Sequence, residues 1–302
     1  MGNGEIGDGS AWSADRPGCR AKYATMGSMV ALMGKSAGKT RALSAPRRLI
    51  VDLLHFAKRV PSIPVERTFH LGPLGEVRGR TSPAPSWTSL FLKAFGLLAR
   101  EFPELRTSYL SAPYPRLFEH EGSVASLAME KVIGGENAIL FLKLREPEAM
   151  TLAEIHEKIQ TAKQQDPDQN ANFRLALGIS RLPVFLRRLL WWVTLEWSGP
   201  WRARKFGTFG VTSYGALGAD SLHPLSPLTA TLNFGPISSQ GSVRVRIIYD
   251  HRVCDGAQVA RALARLEAIL LGEIRQELQK ECEANTGNPP DSGSMNRHKV
   301  SA

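Results

Sequence analysis

Cysteine is scarce in this sequence: Cys19, Cys254 and Cys282 are 3 among 302 residues. The number is odd, the spacings are long and no C-x-x-C pair occurs. Neither a disulfide framework nor a zinc site is indicated, and a reducing, cytoplasmic setting is expected. Long apolar runs are missing too. Met29 to Met33 is too short for a secretory signal and is closed by Gly34 and Lys35. Leu182 to Trp201 is the most apolar region, but Arg187, Arg188 and Glu196 interrupt it, which makes it a poor spanning helix. Ile6 stands where N-myristoylation prefers Ser or Thr. There is no glycine-rich phosphate loop and no internal repeat.

What the sequence has in excess is positive charge. The formal net charge is +10, most of it from arginine. Such a balance suits nucleic acid, an anionic membrane surface or a phosphorylated small molecule. Lysine runs and an aromatic-basic RNA signature are both lacking, so nucleic acid is not expected as a partner. A hydrophobic content of 43% is enough for a full globular core. Residues 1–44, rich in Gly, Ser and Ala, read as a disordered tail, and so do the polar residues 283–302. Between them, residues 45–282 read as one α/β domain with interspersed strands and helices.

Several elements can be placed from pattern. Ser44 caps a helix with Pro46 in its first turn, and Leu49, Leu53, Phe56 and Val60 recur at helical spacing. Val65 to Phe69 alternates as a strand, and Gly72 to Pro85, dense in Gly and Pro, reads as a loop. Thr88 to Glu101 is a helix closed by Pro103. Strands are expected at 116–118, 123–132 and 138–144. Thr151-Leu152-Ala153-Glu154 is a capping box, opening a helix that runs to about Gln165. Further strands are expected at 206–213, 228–233 and 242–249, the last alternating Val243, Val245 and Ile247 against Arg244 and Arg246. A long amphipathic helix follows Gly256, with Val259, Leu263, Leu266 and Leu270 on one face.

The chemistry concentrates in Tyr249-Asp250-His251-Arg252-Val253-Cys254-Asp255-Gly256. A strand delivers His251 to its end, where an imidazole is held firmly, can face a cleft and can take a proton at neutral pH. The same residues also suit a hydrogen-bonded histidine at a strand end, with Asp255 as a helix cap. Cys254 reads as a small buried apolar group rather than a nucleophile. His55, His70, His120, His156, His223 and His298 are isolated, and none has metal-ligand spacing.

The octapeptide resembles the signature of the catalytic domain of dihydrolipoyl acyltransferases, the core component of 2-oxo acid dehydrogenase complexes and part of the chloramphenicol acetyltransferase-like superfamily. Further matches follow in the family's order over roughly residues 45–280. Arg47-Arg48 with its apolar helix resembles the opening helix, and Arg100-Glu101-Phe102-Pro103-Glu104-Leu105 resembles the Pro-Glu-Leu segment. Thr151-Leu152-Ala153-Glu154-Ile155 is similar to Ser-Leu-Ala-Glu-Ile. Gly207-Thr208-Phe209-Gly210-Val211-Thr212-Ser213-Tyr214-Gly215 is similar to Gly-Thr-Phe-Thr-Ile-Ser-Asn-Leu-Gly.

The resemblance implies a coenzyme A-dependent acyltransferase fold, with a mixed β-sheet and flanking helices in a single domain. It also implies acyl-coenzyme A as donor substrate, no metal, and a thiol, hydroxyl or amine acceptor, dihydrolipoamide-like or carried on a lipoyl protein. His251 would be the general base and Thr212 the oxyanion donor in place of the family's serine, with Ser213 as the alternative donor. Asp255, ahead of Gly256, would pair with Arg47 or Arg48. A homotrimer or larger assembly is implied, with His251 and Thr212 meeting across subunits. The sequence departs from the family in two ways. It shows no lipoyl or peripheral-subunit-binding domain and so no covalent lipoyl group, which leaves a catalytically silent assembly module as the competing function. It also carries the Trp-rich insertion 182–201. This is expected to be an amphipathic helix with Leu186, Leu189, Leu190 and Val193 on one face and Arg187 and Arg188 on another. It would serve as a core or trimer-burying element, an acyl-chain or acceptor pocket, or a peripheral membrane contact.

Overall fold

The computed structural model describes residues 38–286, and from Leu43 onward they form one compact unit. The expected tails over 1–37 and 287–302 lie outside the described residues. Six strands make a mixed sheet in the order β1-β8-β7-β6-β4-β5. They are β1 (Ser62–His70), β4 (Val124–Ile133), β5 (Glu136–Arg145), β6 (Phe209–Ser213), β7 (Ala230–Phe234) and β8 (Ser242–Asp250). A separate ribbon pairs β2 (Thr107–Leu110) with β3 (Arg116–Glu119). β6 runs parallel to both β4 and β7, and the other pairings are antiparallel.

Strand alternation sends Ala125, Leu127, Leu140, Leu142, Phe209, Leu232, Phe234, Val245 and Ile247 to one buried face. Three helices cover that face: α3 (Trp87–Glu101), α4 (Leu152–Gln164) and α8 (Gly256–Ile269). Phe91 of α3 stacks on Phe234 at 4.2 Å between ring centroids, and Phe95 meets Phe209 edge-on at 4.8 Å. The helix starts are local chemistry. The amide of Thr151 donates to Glu154 Oε2 (2.8 Å) and the amide of Glu154 to Thr151 Oγ1 (3.2 Å), so the predicted capping box forms. Ser44 caps α1 (Ala45–Ala57) by accepting from the amide of Arg47. Gly207, with φ 96°, turns the chain from helix to β6, and any Cβ there would press on the Val124 carbonyl.

Two expectations are overturned. Residues 72–80 form a helix, α2 (Gly72–Arg80), rather than a loop. Pro73 lies in its first turn, where a missing amide costs nothing, and Leu74 and Val77 bury one side of it. The final helix, α9 (Arg275–Thr286), also continues past the expected domain end at 282.

The Trp-rich insertion is the third correction. It is not one amphipathic helix over 182–201. The region from Asn170 folds as α5 (Ala171–Ser180), α6 (Val184–Trp192), a π-type turn over Val193–Trp197, and α7 (Gly199–Phe206). Arg187 points inward, and its Nε donates to Asp52 Oδ2 of α1 at 2.6 Å. Val184, Phe185, Leu189 and Leu190 are exposed, while Trp191 and Leu195 fill the interior. The buried Arg202 guanidinium then donates to the carbonyls of Tyr109, Leu195 and Pro227, and Gly199 lies flat against the Phe118 ring. Two buried arginines tie this layer to α1 and to β2. Among the described residues no helix is long and apolar enough to cross a membrane.

Candidate active site

His251 sits in the turn between β8 and α8, its backbone amide donating to Pro61 O (3.1 Å). Its side chain is 45% exposed, and Nδ1 lies 3.6 Å from Asp255 Oδ1. That is ion-pair range but longer than a hydrogen bond. No side chain hydrogen-bonds Nε2 among the described residues. The turn beneath is rigid. Asp250 is fully buried and receives the Arg252 backbone amide (3.0 Å) and the Arg252 guanidinium (Nε to Oδ1, 2.9 Å; NH2 to Oδ2, 2.7 Å). The amides of Val253 and Cys254 donate to the Asp250 carbonyl, and the Arg252 guanidinium lies 4.2 Å over the Tyr109 ring. Cys254 is buried, its Sγ near Glu104 O, and burial pushes its thiol up to about 12, so it is no nucleophile at neutral pH.

The expected partnership of Asp255 with an opening-helix arginine is not present. Arg47 pairs with Glu136 at 3.5 Å, and Arg48 Nε donates to Leu43 O. Asp255 is 78% exposed; its backbone amide donates to Gln258 Oε1 at the start of α8, next to Gly256. The buried carboxylate–arginine pair of the motif is Asp250–Arg252 instead. Sequence reasoning missed it, although Asp and Arg flanking a strand-end histidine at i−1 and i+1 could have signalled it.

Thr212 stands near the end of β6 on the sheet face opposite α3. It is buried, and its hydroxyl makes no side-chain hydrogen bond. Its carbonyl accepts from Asn233 Nδ2 at 3.3 Å. Register continues this polar row outward from Thr212 to Asn233, Arg246 and Glu66. The buried Arg246 guanidinium contacts Glu66, Asp220 Oδ1 (2.5 Å), Ser221 O (2.9 Å) and Asn233 Oδ1 (3.4 Å), drawing the loop after β6 down over the row. Ser213 lies on the other face. Its hydroxyl donates to Phe234 O (2.9 Å) and accepts from the Gly215 amide (3.1 Å). That hydroxyl is committed to the turn, which removes Ser213 as an alternative oxyanion donor.

One chain does not bring His251 and Thr212 together. Thr212 is level with Asn233 and Arg246, and His251 follows Arg246 by five positions on a strand running the other way from β6. At ~3.4 Å per residue the two are roughly 17 Å apart along the strand direction alone. No group of His, Cys, Asp and Glu among the described residues could hold a metal.

No protein-family model matches this chain, and no curated protein matches it in sequence. Solved structures do. The cubic core of the pyruvate dehydrogenase multienzyme complex is similar with a TM-score of 0.60 at 18% identity, over 88% of this chain and 100% of that one. A probable dihydrolipoamide acetyltransferase from Listeria monocytogenes gives 0.57 at 17%, over 78% and 94%. The chain has the fold of a dihydrolipoamide acetyltransferase core. The Azotobacter vinelandii dihydrolipoamide acetyltransferase, solved to probe a serine, a histidine and an asparagine in its catalytic mechanism, gives 0.59 at 18%, over 88% and 100%. On this acetyltransferase-core fold, the Trp-rich layer abuts the turn that carries His251: Arg202 donates to the Tyr109 carbonyl, and the Arg252 guanidinium covers the Tyr109 ring.

Proposed function

We propose that the chain is an acyltransferase that moves an acyl group from acyl-coenzyme A to a dihydrolipoamide-like thiol, or to a hydroxyl or amine acceptor. The observation that carries this is the His251 turn. A buried ion pair locks it, Asp255 stands beside Nδ1, and Nε2 is left without a side-chain partner among the described residues. With the Nδ1 proton directed at Asp255, the Nε2 lone pair can take the acceptor's proton as that acceptor attacks the thioester carbonyl. The C–S bond to coenzyme A then breaks, the proton passes to the departing thiolate, and no acyl-enzyme forms. The tetrahedral oxyanion needs a positioned donor, and Thr212 offers a hydroxyl that has no side-chain partner among the described residues.

Because His251 and Thr212 lie at opposite ends of the sheet, the reading requires a second copy to complete the site. A closed homotrimer or larger assembly would place Thr212 of one chain against His251 of the next, and the similarity to a cubic core supports such an assembly. The test is acyl transfer from acetyl-coenzyme A to free dihydrolipoamide by the assembled protein. His251→Ala should lower turnover by about 10²–10⁴-fold. An assembled wild type with no turnover on any thiol, hydroxyl or amine acceptor would favour the silent assembly module.

A further inference from the structure

The Trp-rich layer does not pack flat on the sheet. Between it, α1 and the outer face of β4 and β5 lies a cavity of about 470 Å³, within the ~300–1,000 Å³ range of small-molecule sites. Its walls are apolar, with Leu49 and Leu53 from α1, Phe173 from α5, Trp191 from α6 and Phe206 from α7. Its charged residues are Lys143, Arg204 and Lys205, and no carboxylate lines it. None of the three cations makes an ion pair or a side-chain hydrogen bond among the described residues.

Lys143 is the informative residue. It belongs to β5, opposite Ser126 of β4, and alternation turns it away from the α3–α4 core and into the cavity. A lysine in an apolar cavity without a counter-charge is unfavourable. Burial, and then the nearby Lys205 charge, push its ammonium down to about 8. Elsewhere in this layer the inward cations have partners: Arg187 meets Asp52, and the NH1 and NH2 groups of Arg202 donate to three carbonyls. Lys143 is left over, with the Lys205 charge nearby, in a largely apolar chamber.

We infer that this cavity binds a single-chain amphiphile with an anionic head, its alkyl chain lying among Leu53, Phe173, Trp191 and Phe206 and its head meeting Lys143, Lys205 and Arg204. An apolar chamber with three cations and no acid selects for that combination of chain and charge. It rejects a cationic amphiphile of equal length by repulsion. The inference does not depend on His251, because no residue of the proposed catalytic site lines the cavity.

The experiment uses the full chain with dodecanoate below its micelle concentration. Binding is read by calorimetry and by fluorescence of the tryptophans, since Trp191 and Trp201 line the cavity. Dodecanoate should saturate at one per chain. Dodecyltrimethylammonium should bind about tenfold more weakly or worse, as should dodecanoate to Lys143→Glu, because a charge-assisted contact is lost. Ala176→Phe, which fills the chamber, should abolish uptake, and His251→Ala should bind like wild type. If Ala176→Phe does not fold, the Lys143→Glu and cationic-amphiphile arms decide. The inference is overturned if dodecanoate does not bind, if both amphiphiles bind equally, or if Lys143→Glu binds like wild type. It is also overturned if the protein binds vesicles of anionic phospholipid but no dispersed dodecanoate, which would mark a surface contact instead.

Discussion

His251 Nδ1 faces Asp255 Oδ1 across 3.6 Å, and Asp255 pairs with no arginine among the described residues. A carboxylate that is 78% exposed does not hold a fold together, but it can orient an imidazole. Asp255→Asn is therefore expected to shift stability by no more than about 0.5 kcal/mol. It should lower turnover by less than His251→Ala does. A thermal melt alongside an acyl-transfer assay checks both; a large loss of stability would mean that Asp255 is structural after all.

The structural burden of the motif falls on Asp250 and Arg252. Asp250 is fully buried, and removing the guanidinium leaves that carboxylate without its charged partner. Arg252→Met should cost about 1–3 kcal/mol. It should also reduce turnover without touching substrate, because the turn carrying His251 loses its brace. Conservative Arg252→Lys should recover part of the stability and little of the rate, since lysine cannot reproduce the bidentate contact.

Much of this was legible in the residues. Helical spacing located α1, α3, α4 and α8, and the Thr151–Glu154 box gave the start of α4 to the residue. The ordered motifs pointed to the acetyltransferase-core fold. Three features were not legible. α2 was hidden because Gly72, Gly75 and Gly79 weaken local helix preference, and only the burial of Leu74 and Val77 reverses it. The inward turn of Arg187 on α6 was hidden because an arginine is ordinarily exposed. Here the Asp52 carboxylate, 135 positions earlier, captures Arg187 and rotates the helix. The Asp255 partner was wrong because spacing cannot say which of several arginines a turn brings near.

The Arg187–Asp52 pair is deeply buried, so breaking it from one side should be costly. Asp52→Ala strands an arginine in the interior and is expected to destabilise by about 3–5 kcal/mol. The double replacement Asp52→Leu with Arg187→Met should recover most of that loss. Denaturant titration of the wild type and these two variants tests this. Equal losses in the single and double variants would show that the pair is not coupled.

His120 supplies a pH dependence. It is buried, its Nε2 lies 2.9 Å from Ser108 Oγ, and burial, helped by Arg202 and Arg106, lowers it from its ordinary 6.5 to about 4. Between those values the unfolded chain binds the proton and the folded chain does not. Stability from this group is therefore complete above pH 6.5 and is lost as pH falls toward 4. His120→Gln should flatten the slope of stability against pH in that window, with a difference on the order of 2–3 kcal/mol at its acid end.

Lys143 should behave in the opposite sense to a stabilising lysine. Its ammonium is lowered from 10.5 to about 8, so between those values the unfolded chain holds a proton that the folded chain has released. Stability from this group therefore rises as pH increases from about 8 to 10.5, and below pH 8 the full penalty applies. Lys143→Met is expected to raise the melting temperature at pH 7. The gain should be on the order of 1–2 kcal/mol after allowance for partial solvent contact, and it should shrink toward pH 10.5. A residue that costs stability at neutral pH, yet lines a cavity with two other cations, is what a ligand site produces when affinity is favoured over stability. The same variant should lose dodecanoate binding while it gains stability. A Lys143→Met protein that melted lower at pH 7 would mean that the lysine has a stabilising partner and that its charge is not held in reserve for a ligand.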